Sequence, residues 1–181
     1  YDDLEKGAFA RLLDGPNGSF DFFNIDGSSV TFTVEFYDEN NGRNVAAYEW
    51  EVLFIDRANS GANTTSLVPL KDFDSSSFGT SPDGLPSLTI TFTFNEVLSV
   101  LGFTRDDING GDQFEFQGTV VKTNGKRYSS TNTGVNVVSS APFSGFFQFR
   151  QNIVCPSDLG GEYSVYTTYD QHDFLPDFPE N

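Results

Sequence analysis

The chain has 181 residues, 20 of them Phe and none Met, and its 26 acidic against 10 basic side chains give a formal net charge of −16. A chain of this length buries roughly 70% of the surface its unfolded form exposes, so a core needs no staple, while the charge opposes contact with nucleic-acid phosphates and anionic headgroups. A single cysteine excludes an intrachain disulfide framework, a single histidine removes the commonest zinc signatures, and no apolar run reaches the ~18 residues of a helical membrane span.

Tyr1 and the lack of Met point to a mature or trimmed chain whose targeting segment is gone. Residues 1–18 mix charges with Gly7, Gly15, Pro16 and Gly18, and read as an N-terminal tether with one short lead-in strand around Ala8 to Leu13. From Val30 the alternation is clean: Val30, Phe32, Val34 and Phe36 point one way, and Thr31, Thr33 and Glu35 the other. The segment Asp38 to Gly42 supplies Asn and Gly for a hairpin turn. Val45 to Ile55 is the next strand, with Tyr48, Trp50, Val52 and Phe54 inward, and a polar loop from Arg57 to Ser66 follows. Leu67 to Phe73 fits an edge strand, because Pro69 lacks the amide hydrogen an interior ladder needs.

Leu88, Ile90, Phe92 and Phe94 alternate with threonines as a further strand. The period then changes: Asn95 is placed to cap a short helix that Gly102 terminates, and Thr104 with Asp107 stands at capping-box spacing for a second helical turn. Gln113 to Lys122 and Arg127 to Val138 form a hairpin about Asn124-Gly125, with Phe114 and Phe116 inward. Gly145 to Val154 resumes strand character, Cys155 to Gly161 turns, and another strand begins at Glu162. This pattern specifies an all-β fold: an antiparallel Ig-like β-sandwich over 19–142 with one or two short helices, then the start of a second β unit and an acidic tail over 143–181.

Catalytic chemistry finds little support in these residues. His172 lies in an acidic C-terminal stretch, a poor mount for a Ser-His-Asp triad. Cys155 has no basic neighbour to lower its thiol pKa, and reads as structural or as half of a disulfide to another chain segment. Carboxylates are abundant, yet no pair is set apart by surroundings that would separate its pKa values for glycoside hydrolysis. Three acidic clusters carry oxygen ligands suited to calcium: Asp21 with Asp26, Asp38 with Glu39 and Asn41, and Asp106 and Asp107 with Asp112. The same residues are the ordinary ones of turns and helix starts, and that reading takes precedence. Tyr128, Tyr163, Tyr166 and Tyr169 are candidates for stacking on a sugar ring, against the plainer role of cross-strand packing.

Gly7-Ala-Phe-Ala-Arg11, Ser29 to Asp38, Ser77-Phe-Gly-Thr80, Leu85 to Phe94, Asn132-Thr-Gly134 and Ile153 to Gly161 together resemble an uncharacterised surface lipoprotein family of the Bacteroidetes. Members of that family look like products encoded beside SusC/SusD-type importers, in which a TonB-dependent barrel is paired with a lipoprotein lid. The resemblance implies a non-enzymatic, cell-surface accessory lipoprotein at the outer membrane, in contact with barrel and lid. Membrane contact would come only through a lipid anchor whose cysteine is missing from this sequence. That reading predicts an extended apolar docking patch. An independent carbohydrate- or peptide-binding module predicts a concave site with exposed aromatics and convergent polar groups, and a structural Ig-like spacer predicts neither.

Overall fold

The computed structural model of the chain describes residues 7–134, 137 and 144–156. Among the described residues nine strands and the helix α1 follow in chain order: β1 (Phe9–Asp21), β2 (Ser29–Tyr37), β3 (Val45–Ile55), β4 (Val68–Asp74), β5 (Gly79–Thr80), β6 (Pro86–Thr93), α1 (Phe94–Leu101), β7 (Gln113–Lys122), β8 (Arg127–Tyr128) and β9 (Gln148–Val154). The strands form two antiparallel layers, β5-β6-β2-β1 and β4-β3-β7-β9, with β8 on β7. Where β1 ends, Phe20 and Asp21 pair in parallel with Ile153 and Val154 of β9, so the two layers join into one curled sheet. The fold is all-β and sandwich-like.

The period-2 pattern decides what faces what. Phe32 and Phe36 of β2, Tyr48, Trp50 and Phe54 of β3, Phe92 of β6, and Phe114 and Phe116 of β7 are buried between the layers. Their rings interlock: Phe32 meets Trp50 edge-on at 5.3 Å, Phe92 stacks on Phe116 at 5.3 Å, and Phe116 stacks on Phe149 at 4.6 Å. Edge-to-face and offset contacts of this kind add to area burial. The buried Tyr48 hydroxyl donates to the Phe146 carbonyl, and burial pushes its phenol well above the ordinary value. Gly118 pairs with Trp50 across the ladder, and a Cβ there would stand 2.9 Å from Tyr48 Cε2 and 3.0 Å from Trp50 Cζ2.

Several expectations change. Instead of ending at Leu13, β1 runs to Asp21: register shifts after Leu12 and Asp14 take up Gly15 and Pro16, and Gly18 pairs with Val30. Of the residues read as tether and lead-in strand, those from Phe9 to Gly18 are thus strand, and residues 1–6 lie outside the described residues. The Asp38–Gly42 turn is not a hairpin, since β2 and β3 lie in different layers, and it carries the chain across the sandwich. Thr93, not Asn95, caps α1, accepting from Glu96 N at 3.2 Å; Gly102 ends the helix in the left-handed region at φ 70°. The second helical turn is a short 3-10 segment, Arg105–Asp107, whose Thr104 and Asp107 pair as their spacing predicts. β8 is only two residues long.

The boundary at 143 also moves. β9 pairs with β7 from Gln148 to Asn152 and with the end of β1, so it closes this sandwich instead of opening a second unit. Its parallel contact with β1 is a departure from a wholly antiparallel arrangement. Residues 157–181, where the rest of a second unit was expected, lie outside the described residues.

Candidate binding cleft

At one end of the sandwich, the loop from β1 to β2 faces the start of α1 and the segment that follows it. The loop is fixed by its own polar groups: Asp21 Oδ1 accepts from Phe23 N at 2.8 Å, Asn24 N donates to the Asp21 carbonyl at 3.0 Å, and Ser28 Oγ donates to the Asn24 carbonyl at 2.7 Å. Such side-chain-to-backbone bonds are what Asp, Asn and Ser bring to turns. Held this way, Phe23 remains 65% exposed, and Phe22 meets its ring edge-on at 5.5 Å.

The opposite wall supplies polar side chains, Asn95 and Arg105 among them. Asn95 Nδ2 donates to Asp26 Oδ1 at 2.8 Å, tying helix to loop. The Arg105 guanidinium lies 4.7 Å from the Phe22 ring centroid and 5.9 Å from that of Phe23, within the range of cation–π attraction. It makes no hydrogen bond or ion pair with any other described residue, so its N–H donors are available. Between the walls is a cleft of about 550 Å3, also lined by Ile25, Leu98, Ser99 and Phe103. Its size and mixed lining suit a small ligand.

A second hollow of about 450 Å3 is lined by Gly7, Ala8, Phe9, Tyr128, Asn132, Thr133, Gly134 and Val137. Tyr128 is therefore on a concave surface, as a stacking role would need, although it also packs against Gly7. Tyr163, Tyr166, Tyr169 and His172 lie outside the described residues.

Most of the calcium candidates accept hydrogen bonds from nearby protein groups. Buried Asp112 accepts from Arg57 N at 2.8 Å and Ala58 N at 3.0 Å through Oδ1, and from Asn109 N at 2.8 Å through Oδ2. Asp107 accepts from the backbone N–H and hydroxyl of Thr104, which hold its carboxyl below the ordinary value. Asp106 is exposed. Asp38 accepts from the backbone of Asn40, Gly42 and Asn44, and Glu39 is paired with Lys122. Among the described residues no group of three or more Asp, Glu, His or Cys is placed to hold a metal ion. Cys155 is exposed, with its sulfur packed against Gly110.

Phe23 and Arg105 were not among the residues singled out from the sequence. One signal was present: adjacent aromatics at 22 and 23 cannot both face inward in a period-2 segment, and the flanking Asp21, Asn24, Asp26 and Gly27 mark a turn. No family model matches the chain, and no curated protein shows significant similarity to it.

Proposed function

We infer that this chain is a non-enzymatic surface protein that works by binding, as the accessory lipoprotein of a TonB-dependent, SusC/SusD-type outer-membrane complex. Its lipid anchor would lie outside the 181 residues, and its role would be to receive a ligand for the importer. The sequence resemblance supplies the partner and compartment.

The observation that carries the binding reading is the cleft at the sandwich end. An exposed ring is carried on a hydrogen-bonded loop and faces an uncommitted cation and an amide–carboxylate pair. Preorganised groups of this kind bind without a large ordering cost. The exposed large apolar side chains among the described residues, Leu13, Phe23 and Val100, come from three different elements, and the extended patch expected of a docking face is not what supports the assignment.

Gentle-detergent recovery of the tagged protein from its native membranes, followed by mass spectrometry, tests this. Stoichiometric recovery of a barrel importer is the expected result; recovery of the protein alone overturns the accessory role. The concave form of the cleft favours one second reading, an independent carbohydrate- or peptide-binding module, which predicts recovery alone together with ligand binding that Phe23→Ala removes.

A further inference from the structure

We propose that the cleft binds a neutral saccharide, one sugar ring lying on Phe23 with its hydroxyls held between the Asp26–Asn95 pair and Arg105. This rests on the binding reading above and names the ligand class.

Three features select that class. First, Leu98 is buried and Phe22, Ile25 and Phe103 are half-buried, so Phe23 alone offers an open apolar surface. A single exposed ring edged by polar groups matches a flat ligand with one C–H-rich face and a hydroxylated rim. The electron-rich face of an aromatic ring attracts such C–H groups. A peptide would need successive apolar pockets or an open strand edge, and the cleft is lined from a loop, a helix and the segment after it.

Second, the polar groups are complementary to hydroxyls. Asp26 Oδ1 is engaged by Asn95 Nδ2, leaving Asp26 Oδ2 and Asn95 Oδ1 as acceptors, while Arg105 contributes donors only. A hydroxyl both donates and accepts, and a vicinal pair can satisfy both walls. Third, the cleft carries one acid and one base within a chain of net charge −16, which disfavours an anionic sugar and gives no excess charge to hold a cationic one.

The test titrates the labelled protein with neutral trisaccharides of glucose, mannose, galactose and xylose, each beside its uronate counterpart, and with a Phe-containing tetrapeptide. Amide NMR shifts report binding. Saturable movement of Phe23, Asn95 and Arg105 by a neutral sugar is expected. Phe23→Ala and Arg105→Met should each weaken its Kd by about tenfold or more while leaving the melting temperature in place. Ser99→Trp, which fills the cleft from an exposed helix position, should abolish binding. The proposal is overturned if no neutral sugar moves these amides, if the shifts persist in Phe23→Ala, or if only the uronates or the peptide bind. Recovery of an importer while no sugar binds would remove the saccharide and leave the accessory role standing; sugar binding by a protein recovered alone would do the reverse.

Discussion

At the scale of single residues, the absence of a side chain at position 118 is as much a packing decision as the presence of Trp50. Tyr48 and Trp50 pack edge-on at 5.0 Å, and Gly118 leaves the space these two rings fill. Gly118→Ala should destabilise the fold by about 1–3 kcal/mol, the cost of overpacking a dense core, read as a lower urea midpoint at unchanged slope. Asp112 is the polar counterpart. Its buried carboxylate gathers three backbone N–H groups that Asp112→Ala would leave without an acceptor, at a cost of roughly 2–4 kcal/mol. Exposed Asp106→Ala should stay within about 0.5 kcal/mol. If these aspartates held calcium instead, the two substitutions would act alike and chelation would reproduce them.

At the scale of elements, polar groups on the outer faces hold neighbouring strands together. Glu35 of β2 is buried beneath Arg11 of β1, with the Tyr37 hydroxyl donating to it at 2.9 Å. Burial pushes its carboxyl up, and the hydroxyls of Ser81 and Tyr37 with the Arg11 guanidinium outweigh that, leaving it below the ordinary value. A folded-state pKa below the unfolded one means the stabilisation is whole above the unfolded pKa, near 4.3, and is lost as pH falls through the folded value. Asp56, held down chiefly by the backbone N–H of Asn59 and further by that of Asn63, has the same sign. Urea midpoints should therefore fall steeply below about pH 4, and Glu35→Gln should flatten that fall.

The same elements mark what could be read in advance. Strand positions were legible because alternation survives wherever one face is buried, as in β2, β3, β6 and β7. The length of β1 was not, because Gly15, Pro16 and Gly18 carry a breaker's composition, yet here the first two occupy an irregularity in the ladder and Gly18 pairs with Val30. Asp38 to Gly42 has the chemistry of a tight turn whether the next strand pairs with the last or crosses to the other layer. The cleft was illegible for a related reason: Phe22 and Arg105 meet only once β1, β6 and α1 are packed, and no local period records that.

At the scale of the whole molecule, basic side chains among the described residues pair with acids on other segments: Arg11 with Glu35, Lys71 with Glu96, Lys122 with Glu39, Arg127 with Glu49 and Arg150 with Glu115. These short pairs sit within a large unbalanced negative charge. Raising ionic strength from a Debye length of ~30 Å to ~8 Å screens the long-range self-repulsion more than the close pairs. The melting temperature should accordingly rise by a few degrees between low and physiological salt. A fall measured by calorimetry would mean that the pairs dominate.

The seam where β1 and β9 run side by side also has a mechanical meaning. Both strands point the same way there, with Phe22 N donating to the Val154 carbonyl at 2.9 Å just beyond the paired residues. Tension applied through the segments before β1 and after β9 would drag these strands past each other along their length. The bonds of the seam would then share the load at once, where an antiparallel pair pulled from its open end yields one bond at a time.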